Sequence, residues 1–574
     1  MPRILFVLAL GIFLSFFSVF GAAVATPDSG AILNQQERQE INRTLRSISE
    51  SGAIKTETEL EMSGQASVYV KKIEFNGYGT IAVLQELNSI AEPYLNKTLK
   101  FSELKKIAVL VTRYLREEKG HLLSRAYIPA QDVTSGTVFI NIMLTSLDGP
   151  VSVKLTSDAR IKSHIIDKIA SGALKGDQAI HLKDLERSVL LINDLPGISA
   201  RAYLDKGTLP GTSRITIEAQ EGGTVSALVF ADNFGNRYTG TFRRAAQVVF
   251  SDSMGWGDLF SITYLNADDL NHGKVNFSVP VGHYGTFWNT SYSGLHYELG
   301  GKLKDLKAAG NAYTIATDLQ HPVKRTKKTS IWGGLGYKQL LLEDKLNSAV
   351  TSDRAVSVSD ISLTCNFFDD FWGGGLASFG VNLNPGYLDM TDGKSSDDTG
   401  ARTDGHFFKA VYTAARLQKA TDKISLFFSA RGQFADSNLD SSQKIILGGP
   451  TGVRAYPIGE ASGDEGHIMT FEKRYDLSFM PSWLRTQIVA FYDAGYIRLH
   501  KNTWTNAVTN MTGKNHYWLQ GAGIGLNFEK KGAYRIQLSY AHKTDSNDGK
   551  DSLENNADNR SDGGQFWAQA ICWF

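Results

Sequence analysis

The strongest chemistry in this sequence is an arginine set in a turn-like run and an aspartate set on an alternating strand. The run Gly448-Gly449-Pro450-Thr451-Gly452-Val453-Arg454-Ala455-Tyr456-Pro457 is too rich in Gly and Pro to be a regular helix or strand. Its centre nevertheless carries Arg454 and Tyr456 instead of the Ser, Asn and Asp of surface turns. A guanidinium is a planar fork of donors that matches a carboxylate bidentately. The run Thr486 to Gly495 puts Ile488, Ala490, Tyr492 and Ala494 on one face and Val489, Phe491, Asp493 and Gly495 on the other. If the first face meets lipid, Asp493 points into a lumen, where an unpaired carboxylate in partly dehydrated surroundings is costly. Arg454 is its natural partner and would pin a loop tip to the barrel wall. Spacing alone leaves open that Asp493 simply faces lumen water.

That chemistry is recognition and locking, and no catalytic constellation accompanies it. The chain has no P-loop, HExxH or GxSxG, and Gly521-Ala522-Gly523-Ile524-Gly525 resembles a nucleotide loop only until it is seen to alternate along a strand. Cys365 and Cys572 form neither a disulfide framework nor a metal spacing. The acidic runs Asp392 to Gly405 and Asp545 to Asp562 read as solvated hairpin tips. In the second, Gly549 comes one position too early after Asp545 for an EF-hand. No catalytic residue, cofactor or metal is expected.

The elements that must position the pair follow from composition and periodicity. Lys plus Arg (60) and Asp plus Glu (59) nearly cancel, so no nucleic-acid partner is implied. Abundant glycine and aromatics with scarce proline favour an all-β membrane protein over a helical one. Arg3 precedes an apolar run from Ile4 to Phe20, and the small residues Ala23 and Ala25 follow; residues 1–25 are expected to be a signal peptide. Ile32 to Ile48 reads as a helix with Ile41, Leu45 and Ile48 on one face, followed by a polar linker over 50–67. Two blocks with one βααββ order then suggest a tandem of small α+β modules, 68–146 and 147–221, whose open sheet edges could accept an extended segment.

From Gly222 onward, runs of about ten residues alternate apolar with polar or glycine, as in Val275, Phe277, Val279 and Val281, or Ala522, Ile524, Leu526 and Phe528. That is the pattern of a transmembrane β-barrel with a polar lumen. The last run places Phe566, Ala568, Ala570, Cys572 and Phe574 on one face and Gln565 and Gln569 on the other. At about 22 residues per strand and turn, the count comes to ~16 strands.

These features together resemble the TpsB transporters of two-partner secretion, the haemolysin- and adhesin-secreting relatives of the BamA-type insertases. The most specific points are the loop motif Val453-Arg454-Ala455-Tyr456-Pro457 and the strand motif Phe491-Tyr492-Asp493-Ala494-Gly495. Two more are Leu190-Leu191-Ile192-Asn193-Asp194-Leu195-Pro196-Gly197 and the run Asp232 to Gly240. Ala455 stands where the wider superfamily usually has Gly. The resemblance implies a signal peptide (1–25), an N-terminal plug helix (26–49), two periplasmic POTRA domains and a sixteen-stranded antiparallel barrel (222–574). It implies that Arg454 meets Asp493 inside the lumen, that the helix bearing Ile41, Leu45 and Ile48 plugs the pore, and that Phe574 is a barrel-assembly signal. The expected location is the bacterial outer membrane. Expected partners are a secreted TpsA-type exoprotein, outer-membrane lipid and the barrel-assembly machinery, with the transporter itself a monomer. A cytolysin, an adhesin or a contact-dependent toxin would each suit it as cargo. The alternative, a BamA-type insertase, would be expected to carry more than two POTRA domains, and a simple porin none.

Overall fold

The computed structural model describes residues 26–37 and 67–574 except 79–82, 120, 122–123, 145, 150, 157, 174–181 and 209–211. The expected signal peptide, most of the linker, and Ile41, Leu45 and Ile48 lie outside the described residues.

Alternation with period two governs the chain from Val225, and there it closes on itself. Sixteen antiparallel strands, from Val225–Asp232 to Gly564–Trp573, pair in sequence order and shut as a barrel when the first meets the last. Sixteen strands leave a lumen too wide for wall side chains alone to fill. The first four strands have 8 to 12 residues, whereas Ala308–Arg325, Thr329–Leu346, Ala349–Asp369 and Gly375–Asp392 have 18 to 21. At ~3.4 Å per residue the wall is low beside the closing pair and tall across from it.

The closing pair runs in register from Leu228 opposite Trp573 to Asp232 opposite Gln569. The terminal residue extends it: Phe574 N donates to Ala227 O at 2.8 Å and Ala227 N to Phe574 O at 3.0 Å. At the other end Asn233 mimics a further rung, its amide donating to Phe566 O (2.8 Å) and its carbonyl accepting from Ala568 N (2.9 Å).

Ahead of the barrel lie two α+β modules with their own cores. In the first, Lys72–Asn76 runs parallel to Thr137–Met143, which pairs antiparallel with Arg125–Tyr127. The first strand of the βααββ order is split in two. Ser67–Val70 leaves that sheet to pair with Lys97–Lys100, while Lys71 N turns to Gly136 O at 2.8 Å. Helices Leu84–Ala91 and Phe101–Glu117 cover one face. The second module repeats the plan: Ser152–Leu155 and Ile198–Lys206 flank Thr212–Glu221, with helices Ser163–Ala173 and Leu182–Asn193.

The second module is docked on the barrel turns at the end where it joins the wall. Arg325 grips Asp194 bidentately (2.7 and 2.9 Å), and Arg187 donates to Pro322 O at 2.8 Å. Lys162 N donates to Gly255 O at 3.0 Å, with its ammonium over the Trp256 ring. The run Leu190 to Gly197 is therefore a docking segment: Asp194 takes the arginine while Leu191 and Leu195 pack over the turns at Gly285 and Gly257. This end faces the same side as the modules, so the loops at the other end, including 436–464, open on the opposite side of the membrane.

Candidate functional site

The loop joining strands Ile424–Ala435 and Glu465–Asp476 does not project outward; it folds back into the barrel. A short ladder, Ile445–Ile446 against Ser462–Gly463, starts the return. Leu447 N to Ala461 O (3.1 Å) and Gly448 N to Glu460 O (3.0 Å) continue it to the tip. There the backbone turns so tightly that a Cβ on Gly452 would stand 1.9 Å from Leu447 O, a contact only glycine permits.

Leu447, Val453, Ala455 and Tyr456 are wholly buried, packed on Ile468, Val489, Phe491, Ile497, Leu519 and Ala541 of the wall. Part of the lumen is therefore apolar, as the phase of Val489 and Phe491 with Asp493 requires, although most lumen positions of the alternating runs are polar or glycine. The loop supplies the apolar partner that water could not be. Ala455 is accommodated by Gly521, on the facing strand His516–Lys530, where a methyl would lie 2.4 Å from the Ala455 methyl.

At the tip, Arg454 meets Asp493 through Nε to Oδ2 and Nη2 to Oδ1, both at 2.8 Å, and its backbone N also reaches Oδ2 at 3.1 Å. Nη1 donates to Glu472 at 2.8 Å, and Glu472 accepts in turn from Arg474. Thr470 donates to Asp493 at 2.9 Å. The guanidinium lies over the Phe491 ring, 3.4 Å from its centroid, a cation–π arrangement that counts for more in a desolvated site. Arg454 O accepts from Trp567 Nε1 at 2.7 Å, which ties the tip to the last strand. Gly495 leaves room for Leu447 and Val453, and Pro457 O accepts from Glu460 N. Beyond the tip, Glu460 is buried and holds the last outer loop through Asn547 (2.8 Å) and Ala557 N (2.6 Å).

Beside the loop a helix over 29–37 occupies the lumen. It begins three residues before the expected Ile32, because Asp28 caps it, accepting from Ala31 N at 2.8 Å. Its first turn enters an ionic cluster centred on Arg354, which bonds Asp28 (3.2 Å), Asp440 (2.6 Å) and Asp344 (2.5 Å). Ser29 bonds Asp344 twice (2.8 and 3.0 Å). Gln36 accepts from Arg243 at 2.6 Å, itself held bidentately by Asp232, and Glu37 pairs with Lys338 at 2.9 Å. Asn34 donates to Lys444 O (2.8 Å) and Ser441 O (3.2 Å), at the base of the inward loop. Ile32 and Leu33 enter an apolar lining that includes Leu340, Val356 and Phe407. Helix and loop thus touch one another and share the lumen.

The family model for the haemolysin secretion/activation proteins ShlB/FhaC/HecB matches residues 211–528, and that for the ShlB-type POTRA domain matches 68–145. The chain belongs to the haemolysin secretion/activation family. Among curated relatives it is similar to the heme/hemopexin transporter protein HuxB of Haemophilus influenzae strain Rd, 27% identical over 96% of both chains. It is also similar to the outer membrane transporter CdiB of Dickeya dadantii, 24% identical over 77% of this chain and 78% of that one. The solved structure of CdiB from Escherichia coli shares the fold, with TM-score 0.72 at 20% identity over 96% of this chain and 100% of that one. BamA from Haemophilus ducreyi shares it more distantly, with TM-score 0.52 at 13% identity over 89% and 100%. The chain is an outer-membrane transporter of two-partner secretion, with its POTRA modules in the periplasm. The inward loop consequently enters from the cell surface.

Of the residues singled out from sequence, Arg454, Asp493 and Phe491 meet at the tip, and Val453, Ala455 and Tyr456 lie in the apolar cluster around it. Phe574 stands in the closing seam, its side chain exposed. Sequence reasoning missed Glu472, Thr470 and Trp567, and on the helix Asp28, Ser29, Gln36 and Glu37. Trp567 had a signal: an aromatic between Gln565 and Gln569 on the lumen-facing side of the last strand. Asp28-Ser29-Gly30-Ala31 had another, since Asp before a helical run is a capping signature.

Proposed function

We propose that this transporter exports one large β-helical exoprotein across the outer membrane without ATP. Unfolded cargo docks on the POTRA modules, the helix leaves the lumen, and the cargo passes as an extended chain between wall and loop. Arg454 and Asp493 act as the lock that fixes where the loop stops. The modules are taken as 68–146 and 147–221, the barrel as 222–574, and Phe574 as the signal read by the barrel-assembly machinery; the transporter works as a monomer. The relatives that align over nearly the whole chain are named heme/hemopexin transporters, which favours a haem- or hemopexin-handling exoprotein as cargo over a cytolysin, adhesin or contact-dependent toxin.

The observation that carries this reading is the helix 29–37 inside the barrel, held chiefly by polar side chains that water could replace one by one. A plug must be both seated and removable. The test is a tether: Ser29→Cys with Asp344→Cys, oxidised, should stop release of the co-expressed exoprotein into the medium, and reduction should restore it. Continued export with the tether closed would overturn the reading.

A further inference from the structure

On the outward face beside the closing seam, Val229, Ala231, Ala246, Ala570 and Cys572 leave a trough of about 650 Å³. It lies across the first two strands and the last, so it spans the seam on its outer face. Its upper end is cationic. Arg243 points inward to Asp232, so alternation sends Arg244 outward, where it is exposed. Arg244 Nε donates to Asn266 Oδ1 at 2.9 Å, and no carboxylate among the described residues pairs with it. Tyr264 flanks the trough with its hydroxyl donated to Asn271 at 2.7 Å. Arg244 and Asn266 stand near the surface-side ends of their strands, close to the turn at Asp268 and Asp269.

A guanidinium on the lipid face is costly at membrane depth and is retained where an anion or the headgroup layer meets it. Small side chains below it open a slot for hydrocarbon. We propose that this trough binds a phosphorylated glycolipid of the lipid A class from the outer leaflet, its phosphate on Arg244 and one acyl chain along Ala231, Ala246 and Ala570. The outer leaflet is the source because Arg244 sits at the surface end. A phosphate gives the guanidinium the bidentate partner it lacks. The bound chain covers both sides of the seam and holds the first and last strands together from the membrane.

The test uses the full-length transporter in nanodiscs doped with diphosphorylated lipid A or, separately, phosphatidylglycerol, followed by native mass spectrometry of retained lipid. Arg244→Ala removes the cation and Ala246→Trp fills the slot; both face outward, and heat-modifiability on gels verifies folding. Retention of lipid A should fall about tenfold in each variant and should exceed that of phosphatidylglycerol in the unmodified protein. Equal retention in the unmodified protein and both variants would overturn the site. Equal retention of the two lipids would overturn its assignment to the outer leaflet.

Discussion

Arg454 and Asp493 are joined by two parallel hydrogen bonds of 2.8 Å, and the same guanidinium also holds Glu472 on the neighbouring strand. One cation therefore serves two buried carboxylates. Removing it is worse than removing either anion. Arg454→Ala leaves Asp493 and Glu472 buried together without the cation they share, at a cost of about 3–5 kcal/mol. Asp493→Ala leaves Arg454 still paired with Glu472. Both variants should assemble and sharply reduce exoprotein in the medium, with Arg454→Ala lowering the thermal midpoint more. Normal secretion by both would remove the pair from the mechanism, and equal midpoints would mean that Glu472 contributes nothing.

How much of this was legible follows from the reach of each signal. The face carrying Asp493 could be read because alternation is local, and the Gly and Pro around Arg454 marked a loop. Glu472 could not, because it lies on another strand and a period-two pattern says nothing about which lumen positions a folded-back loop will meet. The same limit hid what covers the apolar part of the lumen. Val489 and Phe491 look like membrane-facing residues by type, and only their phase with Asp493 sends them inward. The helix was expected from the stripe Ile41, Leu45 and Ile48, which lies outside the described residues. Within 29–37, Ile32 and Leu33 pack on the lining, and the hydrogen bonds come from Asp28, Ser29, Asn34, Gln36 and Glu37, polar residues common on any solvated helix.

The fit between Ala455 and Gly521 is a prediction in itself. A methyl at 521 would stand 2.4 Å from that of Ala455, so Gly521→Ala should lift the loop tip and destabilise the protein by about 1–3 kcal/mol, the usual cost of overpacking. Adding Ala455→Gly should restore most of the loss. The check is a double-mutant cycle on thermal midpoints; additive losses would show that the two positions do not meet.

Arg354 should hold the helix in place. It faces Asp28, Asp344 and Asp440, and Arg354→Ala would leave three carboxylates in mutual repulsion. Conductance in planar bilayers should rise toward that of a variant lacking residues 26–37. Asp28→Asn, which keeps an oxygen to cap the helix, should change it far less. Unchanged conductance with Arg354→Ala would place the anchor elsewhere, with Arg243 and Gln36 next to test.

The docking of the second module on the barrel carries a pH signature. Asp252, in the periplasmic turn after strand Arg243–Ser251, is wholly buried beside Asp258 and near Glu221. Burial, reinforced by those two charges, pushes its carboxyl from 3.8 up to about 6. With the folded value raised, the native state binds more protons than the unfolded chain between those two values. Stability is therefore lost as pH rises through about 6, and it is regained as pH falls toward 3.8. Asp252→Asn keeps the oxygen that accepts from Gly257 N (2.6 Å), and asparagine tolerates the positive φ of 51° found there. The variant should melt higher than the unmodified protein at pH 7.5, by a margin that shrinks at pH 5. A margin independent of pH would mean that the buried charge is not its source, and the gain would then lie in the turn's backbone.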